Sequence, residues 1–213
     1  MPIPSHSSTR DNLLAAAIRI FARKGYRKAT VREICNAAGS SNVNSINYYF
    51  GSKDLLYREI LEILFAEYDK RESPLREDMP PERQLYEHIL THCAMLYEQS
   101  ELGEDLIAIY IAETVCPSAF TEELVDQYMP PRQKKNLAMI QALLGREAPP
   151  EMVRDCLVSV AGQILYYAYN QKIFGRLFPD HPGMGSIYKD WADHVYRFSM
   201  GGIKALKRKI KEI

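Results

Sequence analysis

The residues best suited to chemistry in this 213-residue chain are small, polar and aromatic, and they lie between residues 41 and 53. Asparagine can form paired hydrogen bonds to adenine, serine can bond several bases, and a tyrosine hydroxyl can bond a phosphate. A lysine beside free helix amides can share one phosphate with them. We therefore interpret this segment as a surface for double-stranded DNA, formed by Ser41, Asn42, Asn44, Ser45, Asn47, Tyr48, Tyr49 and Lys53.

Two short helices joined by a turn must position these side chains. Thr30 and Glu33 have the spacing of a reciprocal helix cap, Gly39 ends that first short helix, and a second is predicted over residues 43–50. This is the pattern of a helix-turn-helix, whose second helix enters the major groove. An ordinary helical hairpin is the alternative, but it does not explain why polar residues replace the apolar stripe on the second helix.

The helix caps, glycines and prolines along the rest of the chain predict an all-α protein. Ser8 with Asp11 caps a first helix that ends before Gly25, and Ser52 caps a fourth helix that runs to about residue 70. Proline pairs separate the later helices, and Pro74–Pro81 is a plausible hinge. The predicted later spans are 82–100, 103–115, 118–128, 131–144, 151–175 and 187–211.

Composition narrows the function classes. Lys plus Arg and Asp plus Glu number 27 each, yet residues 1–53 hold eight of these bases and only two of the acids. Such a basic head before an acidic body favours contact with a polyanion, although a solvated basic helix face is the alternative. No apolar run is long enough to span a membrane and no secretion signal is seen, so we expect a cytoplasmic protein without membrane partners. The four cysteines are spaced like isolated reduced thiols.

The head resembles a known family. Gly25-Tyr26, the segment 30–34, Ala37-Ala38-Gly39 and the segment 46–56 look like the signature of TetR-type transcriptional regulators. The resemblance implies homodimeric repressors that bind operator DNA and are released by a small molecule. By position, it implies base contacts for Asn44, Ser45 and Tyr48, phosphate contacts for Tyr49 and Lys53, a capping role for Thr30, and a base or phosphate contact for Arg32.

The carboxy-terminal half resembles the CecR-like subgroup of that family, through Glu113, Pro117, Ala119, Phe120 and the segments 190–194 and 198–203. This implies a response to an aromatic or drug-like compound. We expect a DNA-binding domain over residues 1–53 and a helical effector-binding and dimerisation domain over residues 54–213. A DNA-bound adaptor without effector control is the alternative function.

An effector pocket is predicted from aromatic, methionine and polar residues, although each of them individually is better explained as an ordinary core or dimer-interface residue. The candidates are Tyr110, Glu113, Phe120, Tyr128, Met129, Tyr166, Asn170 and Phe174. Two apolar helices, with Cys156, Val160, Ile164, Tyr167 and Ala168 in one and Trp191, Val195, Phe198 and Ile203 in the other, are predicted to pair across a two-fold axis.

Catalysis and metal binding have little support in the sequence. His88 and His92 share a helix face beside Cys93, but a third ligand has no candidate at a typical spacing. No nucleophile elbow, phosphate loop or pair of catalytic carboxylates is recognisable. We therefore predict a protein that is not an enzyme and needs no cofactor or metal.

Overall fold

The computed structural model describes residues 8–72, 79–98, 101–210 and 212, and this part of the chain is helical without a β-strand. The all-α prediction is thereby confirmed. The helices are α1 (Thr9–Lys24), α2 (Val31–Ala37), α3 (Ser45–Phe50), α4 (Lys53–Glu72), α5 (Pro81–Tyr97), α6 (Glu101–Val115), α7 (Ala119–Leu144), α8 (Pro150–Leu177) and α9 (Met184–Ile210). None of these helices combines the length and apolar character needed to cross a bilayer.

The chain forms two compact units. The first comprises Met1–Glu67 and Gln99–Val125, and the second comprises Tyr68–Glu98 and Asp126–Ile213. We call them the head unit and the body unit. The head unit is therefore larger than the predicted DNA-binding segment, because α6 and the start of α7 belong to the same compact unit.

The head unit is held by local caps and one apolar core. The Ser8 and Thr30 hydroxyls accept from the backbone N–H groups of Asp11 and Glu33, and both reciprocal caps are complete, as predicted. Gly25, which follows α1, has a φ of 74° that favours glycine. In the core, α1 packs against α2 and α6. The largest fully buried side chains of this unit are Leu13, Ile18, Phe21, Ile34, Ile46, Leu56, Ile60, Leu61, Ile109 and Leu124.

The body unit is built on α5, α8 and α9, each of which packs against the other two. Its buried apolar residues include Leu85, Ile89, Cys93, Met139, Ile140, Val153, Val160, Ile164, Val195 and Ile203. The Tyr97 hydroxyl donates to the carbonyl of Ile164 over 2.5 Å, which satisfies a buried phenol between α5 and α8.

Three sequence predictions about helices need correction. The expected break between residues 128 and 131 is absent, since Pro130 and Pro131 lie inside α7. Both prolines are exposed, as are Asp126 and Gln127, so the carbonyls that lose a proline N–H partner can face water. The second short helix begins at Ser45 rather than at residue 43, and α9 begins earlier than predicted. Most of the proposed Pro74–Pro81 hinge lies outside the described residues.

Candidate nucleic-acid interface

The cap of α2 fixes the entrance to the helix-turn-helix. Thr30 Oγ1 accepts from the Glu33 N–H over 3.3 Å, and Glu33 Oε2 accepts from the Thr30 N–H over 3.1 Å. Hydrogen bonds from Lys24 and then from Thr30 lower the pKa of Glu33. Glu33 therefore stays ionised and keeps the cap closed at neutral pH.

The turn before α3 is closed by a side chain. Asn42 Oδ1 accepts from the Asn44 N–H over 2.9 Å, and the Asn42 carbonyl accepts from the Ser45 N–H over 3.1 Å. This local bonding offers the backbone an alternative to helix over residues 42–44, which explains why α3 starts late.

Helix α3, the second helix of the helix-turn-helix, has an apolar side and an exposed side. Ile46 and Phe50 are buried against the rest of the head unit, whereas Tyr48 is 82% exposed and Asn47 is exposed beside it. Tyr49 is 38% exposed, and its ring meets that of Tyr48 edge to face with centroids 4.8 Å apart. The exposed predicted residues of the unit are Thr30, Arg32, Ser41, Asn42, Asn44, Asn47, Tyr48 and Tyr49.

Ser45 differs from the other predicted residues. It is only 8% exposed, and its Oγ lies 2.9 Å from Ser40 Oγ. The structure places this hydroxyl in the interior, where it links the turn to the start of α3, rather than on the exposed side that the resemblance implies.

Lys53 also has internal partners. Its Nζ donates to the carbonyls of Tyr26 and Ala29, each over 3.0 Å, and lies 4.5 Å from the centre of the Tyr26 ring. The ammonium therefore joins the start of α4 to the loop between α1 and α2. One of its three N–H groups is left for the predicted phosphate.

Sequence reasoning missed the placement of several bases in the head unit. Arg10 Nη2 donates to both carboxylate oxygens of Glu59 over 2.7 Å, and the guanidinium lies 4.7 Å from the centre of the Phe50 ring. Arg10 therefore secures α1 to α4 and α3. Arg27 and Lys28 are exposed in the loop that leads to Thr30. The count of basic residues drew attention to this part of the chain. Only the fold shows that Arg10 is bonded within the unit, whereas Arg27 and Lys28 are exposed.

The predicted effector residues fall in both compact units. In the head unit, Glu113 is buried and accepts from Tyr57, Thr121 and Ser118. Phe120 packs edge to face against Tyr26, and Tyr110 is half-buried in α6.

In the body unit, Phe174 packs against the rings of Tyr167, Phe178 and His181. The Asn170 amide donates to the Tyr166 carbonyl over 2.8 Å. Tyr166 is 58% exposed, Met129 is 40% exposed, and Tyr128 is half-buried.

An exposed apolar stripe runs along α8. Its members are spaced by helical turns on one face and are all at least 39% exposed: Val158, Tyr166, Tyr169, Ile173 and Leu177. Phe198 of α9 is 68% exposed. Most of the residues predicted to face a second copy are buried within the body unit and are not available to one: Cys156, Val160, Ile164, Ala168, Val195 and Ile203.

The histidine pair of α5 is a packed feature. The ring centroids of His88 and His92 are 4.1 Å apart, and His92 Nδ1 lies 2.7 Å from the His88 carbonyl. Burial, and then electrostatic interactions with His88 and Arg132, lower the pKa of His92 well below its ordinary value. Across the residues that the structure describes, no group of three or more His, Cys, Asp or Glu side chains could hold a metal ion.

Two family models match this chain, one in its amino-terminal part and one in its carboxy-terminal part. The C-terminal domain of the HTH-type transcriptional dual regulator CecR matches residues 81–203, and the N-terminal domain of bacterial regulatory proteins of the tetR family matches residues 13–60. The HTH-type transcriptional repressor NicS of Pseudomonas putida is 40% identical over 80 residues, which are 37% of each chain. The probable regulator YttP of Bacillus subtilis is 35% identical over 63 residues, 30% of each chain.

These matches span only about a third of the length of the two curated relatives. A crystal structure of a TetR-like transcriptional regulator from Rhodococcus sp. RHA1 superimposes with a TM-score of 0.66 at 14% identity, covering 95% of this chain and 99% of that one. That likeness establishes the fold. Because the CecR-type match covers more than half of the chain, the protein belongs to the TetR family of bacterial transcriptional regulators, which are not enzymes, and within it to the CecR-like subgroup.

Proposed function

We propose that this protein is a homodimeric repressor that binds operator DNA through its head unit and leaves it when a small molecule binds. The observation that carries the proposal is the two-sided character of α3. Ile46 and Phe50 anchor the helix in the core, while Asn47 and Tyr48 lie exposed on it. An anchored helix with an exposed polar and aromatic side is what major-groove readout requires.

Base and phosphate contacts divide between different side chains in this proposal. Asn44, Asn47 and Tyr48 meet base edges, because their amides and ring suit adenine and the thymine methyl group. Thr30, Arg32, Ser41, Asn42 and Tyr49 bind or approach phosphates, and Lys53 does so with its remaining N–H. Ser45 is left out because it is buried and bonded to Ser40.

Fluorescence anisotropy tests the DNA-binding proposal. The labelled duplex is the region upstream of the protein's own gene, compared with a scrambled duplex at roughly 0.15 M salt. We expect nanomolar binding to the first and far weaker binding to the second. Asn47→Ala should weaken specific binding by about tenfold and relax base preference, whereas Gln127→Ala, an exposed amide outside the head unit, should change neither. Equal weak binding to both duplexes by the unmodified protein would favour the adaptor alternative.

The apolar stripe of α8 supports the homodimer. An exposed apolar face along a five-turn stretch is costly in water and is typical of a protein interface. A second copy packing on this stripe and on Phe198 would bury both faces around a two-fold axis. Two recognition helices could then reach major grooves about 34 Å apart, which doubles the contacts to DNA.

Effector control rests on family membership and on the apolar side chains of the body. We propose that the protein acts in the cytoplasm, since operator DNA is there. The remaining candidates for the lining lie in the body unit and are Tyr128, Met129, Asn170 and Phe174. Tyr110 and Phe120 are left out because they belong to the head unit, Glu113 because it is fully bonded there, and Tyr166 because it lies on the apolar stripe. Effector binding is proposed to shift α4, so that only the unliganded spacing of the recognition helices fits DNA.

A screen of aromatic compounds against the labelled complex tests this control. We expect at least one compound to raise the melting temperature of the protein and to release the duplex. Compounds that stabilise the protein without changing duplex affinity would contradict effector-driven release.

A further inference from the structure

The most extensively bonded buried carboxylate in the described part of the head unit lies outside the predicted DNA-binding segment. Glu113 of α6 is 8% exposed. Its Oε1 accepts from the Tyr57 hydroxyl over 2.6 Å, and its Oε2 accepts from the Thr121 hydroxyl over 2.6 Å and from the Ser118 N–H over 2.8 Å. One side chain thus ties α4, α6 and the start of α7 together.

Tyr57 carries this connection toward the DNA-binding elements. Its ring stacks on that of Tyr26, with centroids 4.6 Å apart and planes 28° apart, and meets Phe21 of α1 edge to face at 4.8 Å. Phe120 contacts the same two tyrosines from the start of α7. Tyr26 and Tyr57 therefore belong to one aromatic cluster, which joins α1, α4 and the start of α7 to the loop before α2.

Tyr26 in turn belongs to the loop that leads into α2. Its hydroxyl donates to Asp54 over 2.6 Å, and Lys53 donates to the carbonyls of Tyr26 and Ala29. Ala29 is buried and directly precedes Thr30, the cap of α2. The position of the α2 cap is therefore tied through one continuous set of contacts to the α6 carboxylate.

We propose that Glu113 and Tyr57 are positioning residues for operator binding, which hold the loop 25–29 and the start of α2 in the orientation that presents the helix-turn-helix to DNA. The proposal rests on the DNA-binding function argued above and extends the functional apparatus beyond residue 53. Neither residue needs to touch DNA.

Three variants separate this role from a general loss of stability. Glu113→Ala removes all three acceptor contacts and leaves buried donors without a partner. Tyr57→Phe keeps the ring stack and removes only the hydroxyl. Glu113→Gln is the conservative variant, because its amide oxygen can serve Thr121 and Ser118 while its NH₂ donates to the Tyr57 oxygen. Glu123→Gln, an exposed carboxylate in α7 that pairs with Arg58, is the matched control.

The full-length variants are compared by anisotropy with the upstream duplex and by hydrogen–deuterium exchange of the backbone amides of residues 25–34. We expect Glu113→Ala to bind the duplex roughly tenfold more weakly and to exchange faster in this segment, with Tyr57→Phe showing a smaller change of the same kind. Glu113→Gln and Glu123→Gln should match the unmodified protein in both measurements.

Other results would overturn the proposal. A folded Glu113→Ala or Tyr57→Phe protein with a lower melting temperature but unchanged duplex affinity and unchanged exchange at residues 25–34 would reduce the cluster to a stability element. If Glu113→Ala does not fold, Tyr57→Phe decides by the same criteria. If the unmodified protein does not distinguish the upstream duplex from the scrambled one, the proposed function fails first, and the exchange of residues 25–34 still reports whether the cluster positions the loop.

Discussion

The recognition helix α3 and the long helix α8 both present exposed aromatic side chains, but with different neighbours. On α3, the exposed Tyr48 stands beside the exposed Asn47, and the preceding turn also exposes Ser41, Asn42 and Asn44. On α8, Tyr166 and Tyr169 stand in a row with Val158, Ile173 and Leu177. Tyrosine suits both wet and apolar surfaces because its ring is apolar and its hydroxyl is polar.

The comparison shows that exposure by itself does not identify a partner. The α3 surface offers hydrogen-bonding groups in a head whose first 53 residues carry an excess of base, which favours a polyanion. The α8 stripe offers exposed apolar and aromatic side chains at helical spacing, which favours another protein surface. We therefore expect tyrosine to serve two kinds of interface in this protein, with the neighbouring side chains deciding which one.

The largest effect is expected from placing charge in the α8 stripe. Ile173→Glu should convert the proposed dimer to a monomer, since a buried unpaired carboxylate is costly at an apolar interface. It should also lower operator affinity by about a hundredfold or more. Analytical ultracentrifugation and duplex anisotropy measure the two effects. Gln171→Glu adds the same charge to an exposed position off the stripe and should remain dimeric. A dimeric Ile173→Glu protein would show that α8 is not the interface.

Lys53→Ala should act on both stability and DNA affinity. Removing two charge-assisted hydrogen bonds to the Tyr26 and Ala29 carbonyls should cost about 1–2 kcal/mol of unfolding free energy. Urea denaturation measures this loss, and anisotropy should show weaker binding to specific and scrambled duplexes alike. Unchanged stability together with weaker binding would mean that the lysine serves phosphate alone.

Arg32→Ala sharpens the contrast with Lys53, because Arg32 is exposed and Lys53 is bonded within the fold. A phosphate contact should be lost without loss of stability, and the slope of log affinity against log salt should fall by about one. A salt titration of duplex binding measures this slope. A change in base preference with an unchanged slope would instead assign Arg32 to a base.

Glu113 should make the stability of the head unit depend slightly on pH in the acid range. Burial raises its pKa, but the hydrogen bonds from Thr121, Tyr57 and Ser118 outweigh burial and lower the pKa below the ordinary 4.5. The folded state thus favours the ionised carboxyl, which contributes stability above pH 4.5 that is lost as the pH falls through the lower folded value. Urea midpoints at pH 7 and pH 4 should therefore differ less for Glu113→Gln than for the unmodified protein, and an equal difference would show that other carboxyls control acid stability.

The smallest effect is expected from Ser45→Ala. Its hydroxyl is buried and bonded to Ser40, so its loss should cost about 1 kcal/mol or less and leave operator preference unchanged. Thermal unfolding and a panel of single-base operator variants measure the two quantities. An altered preference at one base pair would place Ser45 on the DNA-facing side after all.

Much of the head was predictable because its signals are local. The caps at Ser8 and Thr30 and the glycine after α1 depend on residues three or four positions apart, and the structure has them as predicted. The same local reasoning predicted a helix break at Pro130 and Pro131, and that prediction was wrong. Proline removes a local hydrogen bond, but an exposed helix can lose such a bond to water and continue.

The sequence by itself determined the all-α class, the family and the helix-turn-helix, because periodicity, caps and the motif around Tyr48 and Tyr49 are readable along the chain. Tertiary structure decided which side of each helix is free. Ser45 faces inward, and Lys53 bonds to the loop between α1 and α2. On α8 the side predicted to pair with a second copy is buried within the body unit, and a different apolar side stays exposed. The physical reason is that the available face depends on what the rest of the chain already covers, and contacts such as Tyr57 with Glu113 join residues 56 positions apart.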